Sequence, residues 1–154
     1  MPTAFRVALA LVALCVSSGL AGAQSLPKEA PARTEIFPIP SLTLSDQQFL
    51  SGDAPAGKPV TVAGEFRVAQ GSGKMPVVVL MHGSSGVGAT TDAWVHTFNA
   101  MGISTFVIDG FTGRGLTVTG PNQALLGRLN LIVDIYHSLE ILAKHPRSIL
   151  TVSC

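Results

Sequence analysis

A run of apolar residues without alternation is the feature that most restricts the folds open to this chain. It lies in "MPVVVLMHGSSGVG", where residues Val77 to Met81 are all apolar and three of the five are valines. A strand with one face in water alternates apolar and polar residues, whereas a strand covered on both faces does not, and such strands belong mostly to parallel sheets. A second run of this kind, "ISTFVIDGF", follows along the chain. The sequence therefore predicts an α/β fold whose sheet is mostly parallel from Met75 onward.

A helix is predicted between these two strands, in "TTDAWVHTFNAMG". Thr91 or Asp92 suits its N-cap position, and Gly102 suits the left-handed residue that follows a helix. Four apolar residues recur at helical spacing and are expected to face the core: Trp94, Val95, Phe98 and Met101.

A longer helix of about six turns is predicted after the glycine-rich loop "GFTGRGLTVTGPN". Pro121 suits its first turn, and Lys144 with His145 suits its last. Pro146 then ends it. Its apolar residues step by four and three and are expected to form the buried face: Leu125, Leu129, Ile132, Tyr136, Leu139 and Ala143.

Two strand candidates precede the parallel part of the sheet. Residues 24–40 contain four prolines and predict an extended leader on the domain surface, and "SLTLSDQQFLSG" is a weak first strand. "KPVTVAGEFRVAQGSGK" is a better strand, with Gly64 as a bulge. Its apolar residues alternate: Val60, Val62, Phe66 and Val68. The predicted element order is β-β-β-α-β-α, with the leader and weak first strand in residues 24–57 and an α/β domain in residues 58–154.

The first 23 residues predict a secretory signal peptide. Arg6 precedes an apolar core of ten residues, Val7 to Val16, and a tail of small residues ends at Ala23, where cleavage is expected. The core is too short for a membrane span, which needs about 20 residues. We therefore expect a secreted or periplasmic protein with no membrane contact after cleavage. Because Cys15 leaves with the signal and the other cysteine is Cys154, the mature chain is expected to have no disulfide.

Length and charge restrict the class of protein further. A chain of 154 residues predicts one domain. Only 12% of the residues are charged, the formal net charge is +1, and no cluster of basic residues is present. A nucleic-acid partner is therefore not expected.

The segment "HGSSG" after the first buried strand is the main candidate site. In α/β-hydrolases a buried strand ends in such a loop, and a backbone N–H just beyond it stabilises the negative oxygen formed when an ester carbonyl is attacked. In this chain the donor would be the backbone N–H of Ser84. Gly83 permits the sharp exit from the strand, and His82 is expected to anchor the loop rather than to act as a base.

Two other interpretations of this loop stay open. "SSGVG" resembles the end of the glycine motif of short-chain dehydrogenases, with Asp109 where a ribose-binding acid would lie. However, His82 occupies the position of that motif's first glycine, and Tyr136 is followed four residues later by Glu140 rather than lysine. The third interpretation is a glycine turn that only leads the chain out of the strand. No serine of the loop is predicted to be a nucleophile, because the pattern Gly-x-Ser-x-Gly is missing.

The run "MPVVVLMHGSSGVGATTDAWVHTFNAMGISTFVIDGFTGRGL" resembles the dienelactone hydrolase family of the α/β-hydrolase fold, and the resemblance extends over residues 58–147. It is carried by His82-Gly83, the helix containing Trp94, "DGF" followed by Arg114, and the ending "ILAKHPR". The resemblance implies hydrolysis of a small-molecule ester or lactone by a Ser or Cys nucleophile with Asp and His, without a metal or cofactor. It also implies that Arg114 binds a substrate carboxylate, although its spacing departs from the family's. Asp109 is expected to cap its loop.

One departure from the family decides what activity is expected of the chain. In this fold the nucleophile follows the strand after the long helix, and the acid and base come later. The sequence ends at "HPRSILTVSC" without a Gly-x-Ser/Cys-x-Gly pattern, and Cys154 is not in such a turn. We therefore expect the N-terminal part of a hydrolase, truncated before the nucleophile and inactive by itself. Self-association through an exposed sheet edge is a further expectation.

A one-base loss in the gene is one hypothesis for this ending. Codons for "SILTVSC" can be chosen so that one added base changes them to Ile-Asp-Pro-Asp-Arg-Ile-Val, which is typical of the family after "HPR".

The alternative function, in another class, is a non-catalytic periplasmic domain that binds a ligand or a partner.

Overall fold

The computed structural model of the chain describes residues 27–149. The predicted signal peptide, residues 1–23, and Cys154 lie outside the described residues. No helix in the described part is long and apolar enough to cross a membrane. The main elements follow one another in this order: β1 (Arg33–Thr43), α1 (Asp46–Leu50), β2 (Lys58–Val68), β3 (Met75–Met81), α2 (Ala89–Ala100), β4 (Ser104–Asp109), α3 (Leu129–Lys144) and β5 (Ser148–Ile149).

The strands form one mixed sheet in the order β1-β2-β4-β3-β5. β1 and β2 are antiparallel, as are β2 and β4, whereas β3 is parallel to both β4 and β5. α3 packs against one face of the sheet, and α2 lies on the opposite face, where Asn99 Nδ2 approaches Thr105 Oγ1 at 3.5 Å. The predicted α/β class and the parallel pairing from Met75 onward are confirmed.

The N-terminal segment is not the surface leader that its prolines predicted. Residues 33–43 form β1, an edge strand that pairs with β2 along its whole length. Pro38 and Pro40 are two residues apart, so both lack an N–H on the same side of the strand, and an edge strand tolerates this when that side faces away from its partner. The predicted weak strand is also wrong, because only Ser41–Thr43 belong to β1 and a capping box at Ser45 starts the short helix α1.

β2 alternates as predicted, and its buried residues contribute to the core. The predicted bulge at Gly64 is wrong, because Gly64 stays in register between Phe37 of β1 and Ile108 of β4. A Cβ atom there would overlap Cζ of Phe106. Glycine at this position lets the Phe106 ring lie on the backbone. The buried core contains Ile39, Val62, Phe66, Val68, Phe106, Ile108 and Leu142.

The two parallel strands differ in how well they are covered. Residues Ser104 to Ile108 of β4, in the middle of the sheet, are all buried, as predicted. Residues Val77 to Met81 of β3 are only half-buried. Within residues 27–149, β5 pairs with only two residues of β3, Met75 and Pro76, so the outer edge of β3 has little cover from the described chain.

α2 begins earlier than its sequence predicted. Its N-cap residue is Gly88, so neither Thr91 nor Asp92 caps the helix, and Asp92 instead pairs with Arg67 of β2 at 2.9 Å. Gly102 follows the helix with φ +78°, as expected.

The predicted apolar face of α2 is only partly correct. Val95 is buried, but the Trp94 side chain is 54% exposed and stacks on Phe98. Met101 is exposed too, and the second buried position is Asn99.

α3 presents a different face to the core from the one predicted. Its fully buried positions recur every four residues: Asn130, Asp134, Ser138 and Leu142. Tyr136, from the predicted apolar face, is 65% exposed. Three of the four buried residues are polar, and each has hydrogen-bond partners that offset the cost of its burial. The helix also starts at Leu129, so the predicted first turn at Pro121 is wrong, whereas Lys144 in the last turn is confirmed.

Candidate functional site

The segment His82–Gly83–Ser84, here called the corner, leaves β3 at the carboxyl edge of the sheet. The chain turns immediately, and the Gly86 N–H donates to the Gly83 carbonyl at 3.1 Å. Gly86 has φ +76°, a left-handed conformation that glycine adopts without strain. A Cβ atom on Gly83 would have no heavy atom within 4 Å. The turn is therefore open at Gly83, where no atom of residues 27–149 packs against this position.

The ring of His82 is buried and uses both of its nitrogen atoms inside the fold. Its Nε2 accepts a hydrogen bond from the Gly110 N–H at 3.1 Å. Because Nε2 is the acceptor, the neutral ring carries its hydrogen on Nδ1, which donates to the Gly83 carbonyl at 2.8 Å. The ring also packs edge-on against Phe111, with 4.3 Å between centroids. His82 thus ties the corner to the end of β4.

The backbone of Ser84 has one group in use and one free. Its carbonyl accepts hydrogen bonds from the N–H groups of Thr119 at 2.8 Å and Gly120 at 3.3 Å. Its own N–H donates to no other group among residues 27–149. The glycine-rich loop therefore fixes Ser84 on its carbonyl side, and the peptide that carries the Ser84 N–H is held at the Gly83 carbonyl by Gly86 and His82.

Two cavities adjoin the corner, and Gly83 and Ser84 line both. One is a cleft of about 520 Å³ between the corner and the start of α2, with Trp94 among its lining residues. The other, of about 170 Å³, lies toward the glycine-rich loop and is lined in part by Thr119 and Arg128. Ser84 therefore lies between two cavities, of which the cleft beside α2 is the larger.

The serine hydroxyl groups of the turn are not paired with a histidine within the residues that the structure describes. Neither Ser84 nor Ser85 makes a side-chain hydrogen bond to a histidine in the described part of the chain. His96 is exposed on α2. Residues 27–149 also contain no group of three or more His, Cys, Asp or Glu side chains with the geometry of a metal site.

The geometry of Arg114 excludes the substrate-binding role that the resemblance implied. Nη1 and Nη2 form a bidentate pair with Asp134, at 2.7 and 2.9 Å. The three remaining N–H groups donate to the carbonyls of Gly110 and Leu42 and to the hydroxyl of Thr43. All five donors of the guanidinium are in use, and the side chain is 3% exposed. Arg114 is a buried structural residue, with no donor left for a substrate carboxylate.

Asp109 caps the loop after β4, as expected. Its Oδ1 accepts from the backbone N–H groups of Phe111 at 2.9 Å and Thr112 at 3.0 Å. Burial by itself would raise the pKa of this carboxyl group. The hydrogen bonds from the Thr112 side chain and from the two backbone groups outweigh burial, so the Asp109 pKa lies below its ordinary value.

Asp134 is the residue of this region that the sequence interpretation missed. Its side chain is fully buried and also accepts a hydrogen bond from the Ser41 hydroxyl of β1. The available signal was a lone acid inside the apolar run "LIVDIY". A carboxylate in such a run is stable on a buried helix face only if a cation is brought to it. Here that cation is Arg114.

Comparison of the chain with protein-family models gives no match, and comparison with curated proteins gives no significant one.

Proposed function

We propose that the corner is the oxyanion-stabilising loop of an ester or lactone hydrolase similar to the dienelactone hydrolases. The observation that carries this proposal is the N–H of Ser84, which has no partner within residues 27–149 and lies on an open turn between a strand and a helix. Backbone donors held in this way stabilise the charge that develops on a carbonyl oxygen under attack. Because the turn is already fixed by His82 and by the loop at Thr119, the donor would need no reorganisation during the reaction.

The order of the strands supports this proposal. In α/β-hydrolases one oxyanion N–H comes from the loop after the third strand, and the nucleophile lies on a sharp turn after a later strand. The corner follows β3, and β5, the strand after the long helix, lies beside β3 and parallel to it. A nucleophile that followed β5 would thus lie at the same edge of the sheet as the Ser84 N–H.

The proposal assigns to this chain only the electrophilic part of the site, which is the N–H donor that stabilises the negative oxygen. A single oxyanion donor contributes about 10²–10³ in kcat in enzymes where it has been removed. The printed sequence has no Gly-x-Ser/Cys-x-Gly pattern, so the attacking group, the acid and the base are left unassigned. We expect no ester turnover by the chain alone. We also propose, from the N-terminal 23 residues, that the protein is secreted or periplasmic.

Anion binding at the corner tests the proposal on the chain itself. Amide NMR spectra are recorded while methylphosphonate, a tetrahedral oxyanion, is added to the protein. We expect a saturable shift of the Ser84 amide proton. Ser84→Ala keeps the N–H and is expected to keep this response, whereas Ser84→Pro removes the N–H and is expected to abolish binding to the turn. Equal binding by the alanine and proline variants would refute the oxyanion role.

An ester assay tests the expectation that the chain alone does not hydrolyse esters. Hydrolysis of 4-nitrophenyl acetate is followed with purified protein, and we expect a rate equal to that of buffer. Turnover that a serine- or thiol-directed inhibitor abolishes would show a complete site in this chain and would contradict the assignment of the electrophilic part alone.

A further inference from the structure

We propose that Asp134 is a positioning residue for the corner and that it acts through Arg114 and the backbone of Gly110. The role of the corner in this inference rests on the proposed function, whereas the linkage itself is a property of the fold. It connects α3, the loop after β4 and the end of β3 by consecutive hydrogen bonds of 2.7 to 3.1 Å.

The first link joins Asp134 to Arg114. Asp134 is fully buried on α3, and its two carboxylate oxygens accept from the two terminal nitrogens of Arg114. Ser41 adds a third donor to the carboxylate. Bidentate pairing fixes the plane of the guanidinium as well as its distance. The direction of the remaining Arg114 donors is therefore set by α3 and β1.

The second link joins Arg114 to Gly110. Nη1 of Arg114 donates one hydrogen to Asp134 and the other to the Gly110 carbonyl, each at 2.7 Å. A Cβ atom on Gly110 would lie 2.7 Å from Cδ2 of Leu131 and 3.1 Å from Oδ2 of Asp134. A side chain at this position would displace the end of Leu131 and press on the Asp134 carboxylate. Because glycine has no side chain to restrict its dihedral angles, its backbone needs hydrogen bonds to hold it in one conformation.

The third link joins Gly110 to the corner. The Gly110 N–H donates to Nε2 of His82 at 3.1 Å, and Nδ1 of His82 in turn donates to the Gly83 carbonyl. Gly110 is thus held at its carbonyl by Arg114 and at its N–H by His82. The carbonyl and the N–H belong to successive peptide units that meet at the Gly110 Cα, so a change in the Gly110 dihedral angles would turn the N–H away from Nε2. The His82 ring would then lose the bond that selects the Nδ1–H tautomer. The peptide that carries the Ser84 N–H would then lose one of the two hydrogen bonds that hold it at the Gly83 carbonyl, and the bond from the Gly86 N–H would remain.

The test compares variants of this linkage with an equally disruptive change elsewhere on the same helix. Arg114→Lys keeps a positive charge but loses the planar fork, and Asp134→Asn loses the charge. Leu142→Ala is the matched control, because it also removes packing from α3 but does not contact Gly110 or His82. Two quantities are measured by NMR: the nitrogen-15 resonance of His82 Nε2, and the exchange rate of the Gly110 amide relative to core amides such as that of Phe106.

We expect Arg114→Lys and Asp134→Asn to move the His82 Nε2 resonance toward the average of the two tautomers. We also expect Gly110 exchange to rise about tenfold relative to the core amides, since local opening no longer breaks two bonds. Leu142→Ala should leave both the resonance and the relative rate unchanged. If Asp134→Asn does not fold, Ser41→Ala is used in its place. Ser41→Ala removes a single hydrogen bond to the carboxylate, from an uncharged donor, and leaves the ion pair with Arg114 intact.

Unchanged His82 and Gly110 signals in Arg114→Lys would overturn the inference, as would equal changes in Leu142→Ala. Neither signal depends on catalysis. A failed methylphosphonate titration with a positive result here would therefore reject the oxyanion role and keep the linkage. The opposite pattern would reject the linkage alone.

Discussion

Nε2 of His82 accepts a hydrogen bond from the backbone N–H of Gly110, with 3.1 Å between the two nitrogens. His82 directly follows β3, and Gly110 directly follows β4, the parallel neighbour of β3. The bond therefore joins two adjacent carboxyl ends of the sheet. In open α/β sheets ligands bind at this edge, and here the same edge carries the Ser84 N–H, which donates to no group in the described part of the chain.

Replacement of His82 by alanine tests how much this hydrogen bond and the buried ring stabilise the fold. His82→Ala leaves the Gly110 N–H without its acceptor and removes the ring that packs on Phe111. Since a buried unsatisfied donor and a new cavity both cost stability, we expect the free energy of unfolding to fall by about 2–4 kcal/mol. Urea denaturation measures the change.

His96 provides the control for that experiment. It is exposed on α2, so we expect His96→Ala to change the free energy of unfolding by less than about 0.5 kcal/mol. Equal losses for the two variants would show that the buried histidine does not hold the corner.

We expect the Asp109 carboxylate to contribute to stability in a pH-dependent way. At neutral pH we expect Asp109→Ala to be less stable than the wild type by about 1 kcal/mol, because two backbone N–H groups of the loop lose their acceptor. The Asp109 pKa is lowered in the fold, so the carboxylate stabilises the protein above the unfolded pKa of about 3.9. This contribution is lost as the pH falls through the folded pKa. The difference between wild type and variant should therefore shrink below about pH 4.

Asp109→Asn separates the charge from the hydrogen bond. Its amide oxygen still accepts from the loop but does not titrate, so the difference between the asparagine and alanine variants should be the same at every pH. Denaturation curves across the acid range measure both differences. A constant gap between wild type and Asp109→Ala would contradict the lowered pKa. Glu35, whose pKa is also lowered, is present in all three proteins and does not enter the comparison.

The contact between Gly64 and Phe106 predicts that the stability losses from substitutions at these two positions are not additive. Gly64→Ala places a methyl group against the Phe106 ring, and we expect a loss of about 1–3 kcal/mol from overpacking. Phe106→Leu removes the atoms that clash, so the double variant should lose less than the sum of the single losses by at least about 0.5 kcal/mol. Gly83→Ala, which meets no atom within 4 Å, is the control and should be nearly neutral for stability. Strict additivity would mean that the ring does not require the glycine.

The sequence predicted those parts of the fold whose signal is local. The unbroken apolar run of β3, the alternation in β2 and the glycine after α2 each depend on the conformation of a few neighbouring residues. β1 was missed because prolines are rare in strands, and only its edge position accommodates them. The corner itself was found because His82 and Gly83 directly follow an apolar strand, and this signal is local too.

Long-range polar contacts explain what the sequence did not reveal. The buried face of α3 was missed because Asp134 and Asn130 look like surface residues until their partners are known. Those partners are distant in the chain, since Ser41 is 93 residues from Asp134 and Leu44 is 86 from Asn130. The role of Arg114 was missed for the same reason. Apolar periodicity assigned the wrong face to the helix because hydrogen bonds, rather than hydrophobic contacts, hold three of its four buried positions.

The orientation of α3 gives the last prediction. Tyr136 lies on the face that apolar periodicity assigned to the core, yet it is 65% exposed, whereas Leu142 is 1% exposed. We therefore expect Tyr136→Gln to change the free energy of unfolding by less than about 0.5 kcal/mol and Leu142→Ala to lower it by about 2–5 kcal/mol. Urea denaturation of the two variants decides between the orientations, because a helix turned to bury the periodic face would reverse their order. Tyr136→Gln should also raise solubility, since it removes an aromatic ring from an exposed apolar surface that includes Ile132.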